Sequence, residues 1–217
     1  MKIVINSHIK STIALEHLLE SMRLYEDFND FTIIICIGGF YDNLGYETRT
    51  EGNIVYVHCN HNSIDFTALI TLSELFHNDI DEHYMYIHDT CRIGENFFKR
   101  LKSIDLTNVS SIKMTKTYSM NIGIYSQKII NEYSNFLQAQ KNTDESKCMY
   151  FKTHHCEDRI FNTDPNNYVL DDHSDIKVTG PTDYYNTGTM RVVEYFSNFD
   201  LYKIKANWGQ GKWTLDN

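Results

Sequence analysis

The stretch Tyr84-Met85-Tyr86-Ile87-His88-Asp89-Thr90-Cys91-Arg92-Ile93-Gly94 carries an apolar, aromatic-rich run into a polar end. The apolar part is short and rich in β-formers, the pattern of a buried strand. Asp89 then falls at the C-terminal edge of the strand, where open α/β sheets bind their ligands. Two readings of Asp89 follow. It holds a divalent metal that carries a nucleotide diphosphate, or it is a solvated cap for the next helix.

Moving outward, the same kind of segment recurs. Lys2 to Asn6 is a brief apolar strand that stops at Asn6-Ser7-His8. A helix is expected from Ser11, because Leu15, Leu18, Leu19 and Met22 recur at helical spacing and Ser11 or Thr12 can cap its start. Phe31 to Ile37 reads FTIIICI, a β-branched run of the sort found in strands covered on both faces. Gly38-Gly39 ends it, either as a tight turn or as a point of close backbone approach to a ligand. Asn53 to His58 is a third strand, and a helix is expected from Ser63 to about Phe76. Downstream, Glu95 to Ile104 reads as helix, Ser110 to Thr115 and Asn121 to Tyr125 as strands, and Ser126 to Gln140 as helix.

Strand and helix thus alternate from residue 2 to about 140. Alternation predicts an α/β fold of Rossmann-like type, a single domain over 1–217 with a mainly parallel central sheet flanked by helices. Right-handed crossovers would gather Ser7-His8, Gly38-Gly39, His61-Asn62 and His88-Asp89 on one edge of the sheet. Beyond residue 141 the pattern loosens into a polar loop, a short helix around His154 to Phe161 and an acidic turn at Asp171 to Asp175. Thr189 to Lys205 alternates enough for two strands, and a closing segment, Trp208 to Trp213, could fold over a phosphate or simply pack down as a terminus.

Composition narrows the partners. The net charge of −9 argues against nonspecific nucleic-acid binding and against anionic membranes. No apolar run is long enough to span a membrane, and the first residues turn polar too soon for a signal peptide. Five scattered cysteines fit reduced thiols in a cytoplasmic protein that is not secreted.

The chain has no Gly-x-Gly-x-x-Gly after its first strand, no P-loop and no Gly-x-Ser-x-Gly elbow. Without a glycine cradle, a metal is a way to hold a diphosphate, and a hard cation such as Mg²⁺ or Mn²⁺ wants carboxylate oxygen, which Asp89 can supply. Glu157-Asp158 offers a carboxylate that could deprotonate an acceptor hydroxyl, or an acidic first turn of a helix. His58-Cys59-x-His61 and His154-His155-Cys156 match no common structural zinc spacing, and no feature identifies a base for Cys91 as a nucleophile.

Taken together, these residues resemble a nucleotide-sugar glycosyltransferase of the GT-A fold. More narrowly, VINSHI, IIICIGG, HNSIDFTALI, YIHDTC and MNIGIYSQ are similar to the small glycosyltransferase domains encoded by chlorella viruses. The resemblance is weakest after about residue 165. It implies a viral protein acting in the host cytoplasm. Residues 1–140 would bind the nucleotide-sugar and residues 141–217 would face the acceptor. It implies a UDP-sugar donor, with UDP-rhamnose and UDP-glucose as candidates, a glycan hydroxyl acceptor, and Mn²⁺ or Mg²⁺. Ser7 and His8 would lie against the base, Gly38 and Asp65 would help hold the nucleotide, and His88 would sit near the ribose. Asp89 and His173 would bind the metal, and Asp158 would be the catalytic base. The chain departs from the family's Asp-x-Asp motif, with Cys91 where the second carboxylate belongs. That departure keeps open a non-catalytic nucleotide- or carbohydrate-binding module of the same fold. A nucleotidyltransferase is a further alternative, although Ser7-His8-Ile9-Lys10-Ser11 lacks the glycine-rich loop those enzymes carry.

Overall fold

A computed structural model describes residues 1–114, 122–146, 167–170, 173–176 and 190–206; for 167–169, 173–176, 190–193 and 205–206 it describes the backbone. In chain order its strands are β1 Lys2–His8, β2 Ile33–Gly38, β3 Glu47–Glu51, β4 Ile54–Cys59, β5 His83–His88, β6 Cys91–Ile93, β7 Ser111–Lys113 and β8 Gly123–Ser126, then β9 Asn167–Val169, β10 His173–Ile176, β11 Met190–Phe196 and β12 Leu201–Ala206. The α-helices are α1 Thr12–Arg23, α2 Thr67–Leu75, α3 Phe97–Ser103, α4 Gln127–Glu132 and α5 Ser134–Ala139. The chain forms two compact units. One comprises Met1–Ile9, Asp30–Ile87 and Leu106–Asp171, and the other Lys10–Asn29, His88–Asp105 and Asp172–Asn217.

The first unit is built on an eight-stranded sheet of order β3-β4-β2-β1-β5-β8-β7-β9. β1, β2 and β4 run parallel, as the apolar runs KIVI, IIICI and IVYV predict. Ile3, Ile5, Ile33 and Ile35 are buried, and so are their alternates Val4, Ile34 and Cys36, so both faces of these strands are covered. On one face Phe66, Leu69 and Leu72 pack with Val57, Tyr84, Tyr86, Tyr125, Ile129 and Leu137 into a continuous core. The α/β class with a mostly parallel core is therefore the observed one.

Three local differences have physical causes. The expected helix from Ser63 opens instead with a 3-10 turn, Ile64–Phe66, because Ile64 sits at φ 52, outside helical space. The expected helix from Ser126 to Gln140 is split at Tyr133, whose φ of −92 and ψ of 7 interrupt it; the Ser126 hydroxyl does cap its start by accepting from the Ile129 amide. β8 runs antiparallel to both β5 and β7. The link from β7 to β8 is too short for a parallel crossover.

The second unit holds a four-stranded antiparallel sheet of order β10-β11-β12-β6. The helix expected near the start is α1, which buries Ala14, Leu18, Leu19 and Met22. Its Ser21 hydroxyl accepts from the Ile93 amide of β6 at 3.4 Å. Phe97 and Phe98 of α3 are buried, and Phe98 meets Tyr25 edge-on at 6.5 Å.

Candidate functional site

Within the first unit, strand order reverses at β1. The chain lays β2 and β4 on one side of it and β5 on the other. Such a switch point opens a crevice at the strand ends, the usual ligand position in α/β sheets. Ser7 and His8 end β1 there, in register with Ile37 and Gly38 of β2. Gly39 has φ 105, and a Cβ on it would stand 2.9 Å from His8 Nε2. Glycine is thus what lets the imidazole of His8 lie against this backbone. A Cβ on Gly38 would stand 3.1 Å from the His61 carbonyl and 3.2 Å from Asn62 Cβ. The Gly39 amide donates to that same His61 carbonyl at 3.1 Å. The two glycines therefore serve close approach, by the protein's own His8 and its 61–62 loop. Three of the gathered strand ends, Ser7-His8, Gly38-Gly39 and His61-Asn62, meet as the alternation predicts.

The 61–67 loop is heavily cross-braced. Asn62 Oδ1 accepts from the Ile64 amide at 3.1 Å and from the Thr67 hydroxyl at 3.2 Å. The Ser63 hydroxyl donates to the Gln140 carbonyl at 2.7 Å, and the Asn62 amide donates to the Asn142 carbonyl at 2.9 Å. Asp65, the predicted nucleotide contact, is buried in this loop, and its carbonyl accepts from the Tyr86 hydroxyl.

His61 is fully buried, with Nε2 placed 3.4 Å from the Thr67 carbonyl. That contact assigns the proton to Nε2, and Nδ1 has no hydrogen-bond partner among the described residues. Burial, and then the charge of Lys141, push its pKa down to about 4, so the ring is neutral. Tyr46 meets it edge-on and donates to Glu74, and Lys141 bonds Glu74 at 2.8 Å. Burial pushes the Glu74 carboxyl up, but hydrogen bonds from Lys141 and Tyr46 outweigh it and hold the group below its ordinary range. The His58-Cys59-x-His61 pattern makes no zinc site: the His58 ring stacks on Phe40 at 4.3 Å, and Cys59 Sγ lies 3.2 Å from the Thr71 hydroxyl.

In the second unit, His88, Asp89 and Thr90 are each less than a tenth exposed. Arg92 Nη1 donates to the carbonyls of Asp89 and Ala14, both at 3.4 Å, and to that of Cys91. Lys203 of β12 pairs across the sheet with Cys91 and donates to the Thr90 hydroxyl. Burial pushes the Cys91 thiol up to about 11, against the opposing pull of Lys203. A protonated, buried thiol is no ligand for a hard divalent cation, so Cys91 does not replace a second carboxylate beside Asp89. Among the described residues, no three His, Cys, Asp or Glu side chains form a metal-holding group. Of the predicted ligands, Asp89 is described in full, and His173 opens β10 with its backbone in register with Phe196. Asp158 lies outside the described residues, as do Glu157 and His154-His155-Cys156.

Sequence reasoning placed Asn62 at the site but gave no role to Asn6, Arg92 or Lys203. Arg92 adjoins the quoted motif, but nothing local to residue 203 points to residues 90 and 91. No protein-family model matches the chain, and no curated protein matches it. No helix among the described residues is long and apolar enough to cross a membrane.

Proposed function

We propose that the chain is a glycosyltransferase that moves a sugar from a UDP-sugar to a hydroxyl of a glycan acceptor in the cytoplasm. The observation that carries the reading is the reversal of strand order at β1, the place where α/β sheets bind their ligands, with Ser7, His8 and Gly38 at the strand ends beside it. UDP-rhamnose and UDP-glucose are the donor candidates. In this reading Ser7 and His8 meet the base, Asp65 and His88 the nucleoside, and Asp158 takes the proton as the acceptor oxygen attacks the anomeric carbon. Mn²⁺ or Mg²⁺ on Asp89, with His173 as a second ligand, would supply positive charge to the departing diphosphate.

The direct test is thermal unfolding with a panel of nucleotide-sugars, with and without Mn²⁺. A ligand bound only by the native state raises the midpoint. The reading expects a UDP-sugar to do so and Mn²⁺ to enlarge the effect; no shift with any member contradicts it.

A second reading, a binding module of the same fold, is favoured by Cys91. The position where a second acid would sit carries a buried thiol facing Lys203. UDP binding without turnover over the whole panel would select this reading.

A further inference from the structure

Asn6 immediately precedes the Ser7-His8 end of β1. Its Nδ2 donates to the Ile64 carbonyl and its Oδ1 accepts from the Ala68 amide, each at 3.0 Å. One side-chain amide therefore spans the turn that leads into α2. Ile64 occupies that turn at φ 52, a left-handed conformation that β-branched residues avoid. Such backbone persists only where its surroundings over-determine it, and it concentrates at ligand clamps. Here Asn6 holds the carbonyl of Ile64, Asn62 holds its amide, and the Tyr86 hydroxyl holds the carbonyl of Asp65.

A helix could start without this arrangement, since the Ser63–Phe76 stretch has a helical apolar pattern. A β-branched residue in left-handed space is a local conflict of the kind that sequences tolerate at functional positions. The residue fixed directly after it is Asp65, buried in the loop whose His61, Asn62 and Thr67 stand against Gly38 at the end of β2.

We infer that Asn6 is a positioning residue: by holding the left-handed turn at Ile64, it sets the backbone from which Asp65 meets the hydroxyls of a nucleoside. The identity of the ligand rests on the glycosyltransferase reading above. A carboxylate suits a ribose diol, because its two oxygens can accept two hydroxyl hydrogen bonds at once.

The experiment is calorimetric titration of UDP, in Mn²⁺, into wild type, Asn6→Asp, Ile64→Gly and the double variant, with each unfolding midpoint measured alongside. Asn6→Asp keeps the acceptor for Ala68 but loses the donor to Ile64. Its UDP affinity should fall about tenfold at temperatures well below its midpoint. Adding Ile64→Gly should recover most of that loss, because glycine holds a positive φ without a clamp. Tyr86→Phe removes only the hydroxyl donated to Asp65 and should weaken UDP in the same direction; it carries the test if Asn6→Asp does not fold. A purely structural Asn6 predicts a lower midpoint with unchanged UDP affinity, and that result overturns the inference alone. A wild-type chain that binds no UDP overturns this inference and the glycosyltransferase reading together.

Discussion

Lys203 stands directly opposite Cys91 across the antiparallel β12–β6 pair, and Glu194 stands opposite Lys203 on its other side. Residues opposed in this way share a sheet face, so Glu194, Lys203 and Cys91 form one row. All three are buried. The position where a two-acid metal motif would place its second carboxylate is thus a thiol packed against a cation, leaving Asp89 as the only acid of the His88–Cys91 turn. The thiol should be inert: burial holds it protonated with a pKa of about 11. Alkylation of the native protein at neutral pH, mapped by mass spectrometry, should leave Cys91 unmodified, along with the buried Cys36 and Cys59. Rapid labelling of Cys91 would contradict its placement.

Lys203→Met should cost about 2–4 kcal/mol of stability, because it removes a buried cation from its register position beside Glu194 and leaves the Thr90 hydroxyl without its donor. Denaturant unfolding measures this. A loss under about 0.5 kcal/mol, the range of ordinary surface changes, would place Lys203 in solvent instead.

Gly94 makes a sharper steric prediction. Its amide donates to the Asp200 carbonyl at 2.7 Å, and a Cβ on it would fall 2.2 Å from Asp200 Oδ1. That carboxylate also accepts from the Asn96 amide at 3.0 Å and from the Tyr195 hydroxyl at 3.1 Å, so it cannot swing away without losing both. Gly94→Ala should destabilise by about 2 kcal/mol, the scale of overpacking. Gly45→Ala is the control: nothing lies within 4 Å of its Cβ, and its unfolding midpoint should not move.

His61 predicts a pH dependence. Its pKa drops from 6.5 to about 4 on folding. Above the unfolded value both states are neutral, and the stability is fully present. As pH falls from 6.5 toward 4, the unfolded chain takes a proton that the folded chain refuses, and stability is lost. The loss reaches about 3 kcal/mol below that window. Glu74, also held below its ordinary value, acts in the same direction but only at lower pH. Urea unfolding at pH 7 and pH 5 should therefore show a drop in wild type that His61→Gln largely removes. Equal slopes in the two proteins would contradict the buried neutral ring.

The parallel core was legible in the sequence because Ile3 to Ile5 and Ile33 to Cys36 are buried on both faces and so carry an unbroken apolar signal, and IVYV, half-buried at Val55 and Tyr56, is still apolar throughout. β3 was not, since Glu47 to Glu51 is exposed throughout and its polar residues resemble a loop. β6 escaped notice because three residues directly after a turn leave no period to detect. The direction of β8 follows from chain length: the link from β7 is shorter than a parallel crossover needs. In the site, Ser7, His8 and Gly38 follow from where strands end. Lys203 does not, because it lies 113 residues from the Thr90 it bonds. Asn6 looked like a strand terminator, and its partners Ile64 and Ala68 are about sixty residues away.

Sugar transfer from a UDP-sugar, the proposed activity, is measured most directly as release of UDP. Wild-type protein with UDP-rhamnose or UDP-glucose, Mn²⁺ and a glycan acceptor should liberate UDP, excess chelator should suppress the release, and Asp89→Ala should abolish it. Full activity in chelator would contradict the metal on Asp89. Binding of UDP with no release from any donor would contradict the enzyme itself.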